Sequence, residues 1–196
     1  MLIDFGSTHL LVSLLALVIV LIILWKQKKN FSYLFFFSVF WIYLIGVVSV
    51  VVFPIHVPDS DITSSVSLHM NLALFGFSTC DFLMLCLRNI YENILLTIPF
   101  GFGISLIVQI KPKNILWLAM AVGLVCELLQ LVISLIAHSG FRIVDINDVI
   151  VNAVGVLLGY GIFRIFGWLY SYITDTFDIR HKYICAYIYG VGRQTQ

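Results

Sequence analysis

Long apolar stretches separated by short polar ones set the pattern of this chain. His9 to Trp25 is a predominantly apolar run closed by Lys26, Lys28 and Lys29. Phe31 to Phe53 is a second, ended by Pro54 with Pro58 shortly after. Ile94 to Ile110 is a third, stopped by Lys111-Pro112-Lys113; Asn114 to about Ala137 and Val149 to about Tyr170 complete the set. Each has the length of a membrane-crossing helix, about 17–25 residues. Val66 to Leu87 is also apolar, but Asn71, Gly76, Ser78, Thr79 and Asp81 interrupt it, so it reads as a re-entrant or interfacial segment. The predicted fold is all-α, a polytopic membrane protein with five transmembrane helices and that extra segment between the second and third. One membrane domain covers residues 1–170, and residues 171–196 form a Tyr-rich cytoplasmic tail suited to the inner membrane surface.

Composition removes the soluble alternatives. The 196 residues are 61% apolar and 11% charged, against about 45–50% and about 25% for a soluble domain. A net charge of +1 and the lack of a long basic stretch exclude nucleic acid as a partner. Cys80, Cys86, Cys126 and Cys185 make neither a disulfide framework nor a Cys/His metal cluster, and no cofactor is expected. Charge also orients the chain. The first run carries its lysines after it, unlike a cleaved signal peptide, so its N-terminus lies outside. With five spans, Lys26, Lys28, Lys29, Lys111, Lys113, Arg164, Arg180, Lys182 and Arg193 fall inside, nine of the eleven basic residues. Only Arg88 and Arg142 fall outside, whereas a sixth span would carry Lys111 and Lys113 across.

The informative side chains are those that lipid should exclude, since an ionisable group at a helix centre costs about 2.5–3.5 kcal/mol on insertion scales. Glu127 lies near the middle of the fourth span, with Gln130 three residues on and on the same face. Asp145, Asp148, Asn152, Gly155 and Gly159 step by three and four, one stripe of a helix. The two Asp occupy its first turns, where the helix dipole favours negative charge; N-capping is the plainer role for Asp145. Close helix packing is the plainer role for the two Gly. Asn89, Asn93 and Thr97 form a third polar face at the start of the third span, where Pro99 predicts a kink. Three polar faces opening to one leaflet point to a binding site more than any one of them does.

At these residues the chain resembles the VanZ-like family of bacterial membrane proteins. The resemblance rests on Asn93 with Pro99-Phe100-Gly101, on Glu127 with Gln130, and on Arg142, Asp145, Asp148, Asn152, Gly155 and Gly159, in order over about residues 71–165. Asn71-Leu72-Ala73-Leu74-Phe75 is similar to the family's Asn-Leu-Ile-Pro-Phe segment without its proline, and Glu92 stands where a small residue is expected. The resemblance implies a bacterial plasma-membrane protein at the outer face, linked to teicoplanin resistance and to lipid-linked cell-wall material. It implies no particular reaction.

Two functional classes follow. In the first, an outward polar cavity binds a membrane lipid, a lipid-linked cell-wall precursor or a lipoglycopeptide. Arg88, Asn93, Glu127, Gln130, Arg142, Asp145, Asp148 and Asn152 are its candidate ligand residues, and the two guanidinium forks would meet phosphate or carboxylate. In the second, the protein is a membrane-embedded hydrolase or transferase with Glu127, Asp145 or Asp148 as the acid or base. No resident metal is expected; Asp145 and Asp148, at i and i+3, are the pair that would hold a divalent cation with a lipid phosphate. No zinc motif, phosphate loop or nucleophile elbow occurs.

Overall fold

The computed structural model describes residues 2–56, 70–71, 83–136 and 144–194. Six helices carry it: α1 (Ser7–Lys26), α2 (Phe31–Val51), α3 (Leu83–Ile107), α4 (Ile115–Ile136), α5 (Ile146–Thr176) and α6 (Ile184–Gln194). The first five are long and apolar enough to cross a membrane. Two-residue ladders tie the connections: β1 (Leu2–Ile3) pairs antiparallel with β2 (Ile55–His56), and β3 (Met70–Asn71) pairs parallel with β4 (Val144–Asp145). The protein is therefore a polytopic all-α membrane protein.

Helix direction follows from which residues meet. Asn89 meets Asp148, Thr97 meets Asn152, and Phe102 meets Phe163, so α3 and α5 run parallel. Tyr43 donates to the Leu96 carbonyl while Phe40 packs on Gly103, so α2 runs antiparallel to both. We call the end where α3 and α5 begin the upper end. The finish of α2, the β3–β4 pair and the start of α3 all sit there. Residues 57–69 and 72–82 lie outside the described residues, and with them most of the expected re-entrant segment. Both flanks of that stretch share one end of the bundle, as five spans require and six do not.

The core lies along α5. Gly101 and Gly123 bring α3 and α4 against the Val156 and Val149 carbonyls of α5; Gly155 and Gly159 bring α5 against the Ile94 and Ile98 carbonyls of α3. A methyl group at any of the four would strike backbone or, at Gly155, the Thr97 hydroxyl as well, the close approach that small residues permit in membranes. Ala119, Ala153, Val156, Ile115 and Tyr160 fill the centre, with Phe100, Val122 and Leu157 packed around them. Large apolar side chains face outward instead, among them Leu116, Trp117, Leu128 and Ile165. Only surrounding lipid makes that distribution favourable.

Two helices differ most from the sequence reading. The third helix begins at Leu83 and not at Ile94, because Arg88 and Glu92 pair at i, i+4 and Asn89 finds Asp148, which accommodates the polar turns within the helix. The fifth runs from Ile146 to Thr176, past both expected ends, since Asp145 caps its start and α6 covers its last turns.

Candidate functional site at the upper end of the bundle

The polar side chains predicted to matter gather where α5 begins. Asp145 is the N-cap: its extended backbone (φ −119°, ψ 123°) turns the chain into the helix, and its Oδ1 accepts from the Asn147 N–H at 2.8 Å. The Asn147 side-chain amide donates to the same oxygen at 2.8 Å. Capping, the plainer role, is thus what the Asp145 carboxylate performs. Its backbone N–H does something else, donating to Glu127 Oε2 of α4 at 3.3 Å.

That bond fixes where Glu127 works. Glu127 is central in α4 by count, but it faces the start of α5 and not its flank. Residues 128–136 carry α4 further by roughly 14 Å, at about 1.5 Å of rise per residue. The first turn of α5 therefore starts well below the top of α4, with Glu127, at 2% exposure, as one wall. Gln130 stands one turn above it, half-buried.

Asp148, in the first turn of α5, is gripped from α3. The Asn89 amide donates to both carboxylate oxygens, at 2.9 and 3.1 Å. Asn93, one turn along α3, flanks the same carboxylate. Below them Thr97 closes the floor: its hydroxyl lies 2.9 Å from the Asn93 carbonyl and 2.9 Å from the Asn152 carbonyl. Asn152 is buried, and among the described residues its side-chain Oδ1 has no hydrogen-bond donor. Leaving a buried acceptor unmatched costs about 1–3 kcal/mol, so this group calls for a donor.

The structure thus brings together Asn93, Glu127, Asp145, Asp148 and Asn152, with Gln130 above. Arg88 is placed differently, bound through Nε to Glu92 Oε1 at 2.6 Å on the helix surface. Arg142 lies outside the described residues. Asn71 pairs through its backbone register with Asp145, which sets Asn71 beside the α5 cap. Asn89 was not among the candidates, and it holds one of them, Asp148, through both carboxylate oxygens. Its signal was present in the 89, 93, 97 face, but which acid would meet that face depends on α3 and α5 running parallel. Ser134, buried on α4 with an unpartnered hydroxyl among the described residues, left no signal beyond lying seven residues from Glu127.

Among the described residues no three His, Cys, Asp or Glu side chains come together as a metal site would require. What the cluster presents is acceptors, namely carboxylate oxygens and an amide oxygen around a helix start. A family model, VanZ/LLP1, matches residues 40–167 and so spans the second half of α2, all of α3 and α4, and most of α5. Comparison with curated proteins and with solved structures found no match.

Proposed function

The chain belongs to the VanZ/LLP1 family, and on that footing we propose that it binds a lipid-linked or lipophilic ligand at its upper end, on the outer face of a bacterial plasma membrane. Its effect is reduced susceptibility to teicoplanin-type lipoglycopeptides. The N-terminus is outside and the tail inside. The observation that carries this reading is the buried Asn152 Oδ1, without a donor among the described residues, beside the carboxylates that surround the α5 start. An acceptor-rich, partly buried cluster is complementary to a ligand rich in O–H and N–H donors, such as a sugar or an amine. Arg142, in the connection leading to Asp145, supplies a fork for the anionic part of such a ligand.

The test uses Asn152→Leu, Glu127→Gln and Arg142→Lys at matched membrane abundance, in cells where teicoplanin susceptibility is measured with and without the chain. Binding of teicoplanin by the purified protein is the parallel readout. Replacing a buried unmatched acceptor by an apolar group of similar size is neutral or stabilising for a fold. Asn152→Leu should therefore keep its abundance while losing protection and binding. A wild-type chain that changes neither susceptibility nor binding sinks the proposal, as does full activity in all three variants. An embedded hydrolase or transferase working through Glu127 predicts a different split, with ligand retained by Glu127→Gln and turnover lost.

A further inference from the structure

The lower end of the bundle carries a second polar feature, outside the cluster above. A cleft of about 460 Å³ opens between the α1–α2 turn, the end of α3 and α6. Lys29, Ser32 and Tyr33 form one wall, Ser105 and Gln109 another, and Tyr187 a third. A water's share of liquid volume is about 30 Å³, so the cleft admits a headgroup-sized anion with hydration. None of the described residues that line it is acidic. Burial raises the Tyr187 hydroxyl above its ordinary value, with Tyr33 adding to the effect, so it stays neutral; it donates to the Leu106 carbonyl.

The start of α2 faces this cleft without a side-chain cap. Asn30 is the N-cap residue, yet its side chain makes no capping hydrogen bond, and the first turn holds no acid. A bare N-terminus of a 21-residue helix presents unpaired N–H groups and a partial positive charge. A second, independent feature marks the same place. Ser32, in that first turn, is 7% exposed, lines the cleft, and among the described residues has no hydrogen-bond partner for its hydroxyl.

Lys29 is set at the rim by backbone geometry. The N–H groups of Lys28 and Lys29 return to the Trp25 and Leu24 carbonyls, a Schellman turn with Lys28 in the left-handed region (φ 59°). The Lys29 ammonium then lies 5.0 Å over the Tyr33 ring. The turn and the Tyr33 ring together hold the Lys29 side chain at the rim of the cleft. Lys26, Lys28, Lys111 and Lys113 sit on turns at the same end, which attracts anions to it.

We infer that this cleft is a phosphate-binding site, built from the uncapped α2 start, the Ser32 hydroxyl and the Lys29 ammonium. A phosphate monoester or diester is the anion such a helix start accepts. At interfacial depth it comes from a phospholipid headgroup or from free phosphate.

Native mass spectrometry of the full chain in detergent tests this, with phosphatidylglycerol, phosphatidylcholine or inorganic phosphate as probes. Three variants accompany wild type: Lys29→Gln, Ser32→Asp and Lys113→Gln. An Asp in the first turn favours the helix itself, so Ser32→Asp keeps α2 while repelling an anion. Phosphatidylglycerol retention should fall about fivefold or more in Lys29→Gln and Ser32→Asp and stay near wild type in Lys113→Gln. Hydrogen exchange at the first turn of α2 then identifies the source. Protection by phosphatidylglycerol alone assigns a lipid, and equal protection by inorganic phosphate assigns the free ion. Wild-type retention in Ser32→Asp, or an equal loss in Lys113→Gln, overturns the site and leaves only surface charge.

Discussion

At the scale of residues, the upper cluster separates side chains that build the helix start from those free to meet a ligand. Asp145 is committed to its cap through two bonds from Asn147 at 2.8 Å. Asp148 and Asn89 form a two-oxygen clasp between α3 and α5, and hydrogen bonds to charged groups contribute about 1.5–3 kcal/mol. A double-mutant cycle of Asn89→Ala and Asp148→Ala, read by thermal unfolding in detergent, should therefore show a coupling of about 1 kcal/mol or more. Strict additivity would show that the clasp adds nothing to stability. Asn152 behaves differently. Its backbone carbonyl is used by Thr97, while its side-chain acceptor has no donor among the described residues. Stability alone gives no reason for an Asn there.

At the scale of elements, α5 is the post on which α3 and α4 are hung, and its glycines decide how closely. A Cβ at Gly159 would meet the Ile98 carbonyl and the Phe102 N–H, both backbone atoms that cannot swing aside; at Gly161 it would meet nothing within 4 Å. Gly159→Ala should accordingly destabilise by about 1–3 kcal/mol through overpacking. Gly161→Ala should be neutral or stabilising by up to about 1 kcal/mol, from helix propensity alone. Equal melting temperatures for the two would refute the close approach. The existence of these helices was legible because lipid demands long apolar runs. The start of α3 was not, since Arg88, Glu92, Asn89 and Asn93 look like a loop until partners along and across the helix are known. Glu127 was legible as out of place in lipid. That it receives the Asp145 N–H at the foot of α5 depended on the depth at which α5 starts, which no local pattern encodes. Arg142 falls outside the described residues, so its part in the site stays with the functional proposal.

At the scale of the molecule, the two ends of the bundle are electrostatically unlike, and that asymmetry predicts how it sits in the membrane. The upper end gathers Glu92, Glu127, Asp145 and Asp148, with Arg88 already paired to Glu92. The lower end carries Lys26, Lys28, Lys29, Lys111 and Lys113 on its turns, with Arg193 on α6. Positive residues in short loops stay on the cytoplasmic side during insertion, each preference small but summed over the loops. α6 adds to this, because it docks on the same end: Tyr187 donates to the Leu106 carbonyl, and Gly192 packs on Gly167. The chain should therefore insert with residues 2–6 outside and α6 inside. A reporter fused after Gln196 should be active only if it responds to the cytoplasm. A cysteine replacing Asp4, in a variant whose native cysteines are changed to serine, should react with an impermeant thiol reagent on intact cells. One replacing Lys113 should react only after permeabilisation. Labelling of position 113 on intact cells would invert the molecule, and would move both the acceptor cluster and the phosphate cleft to the opposite leaflets.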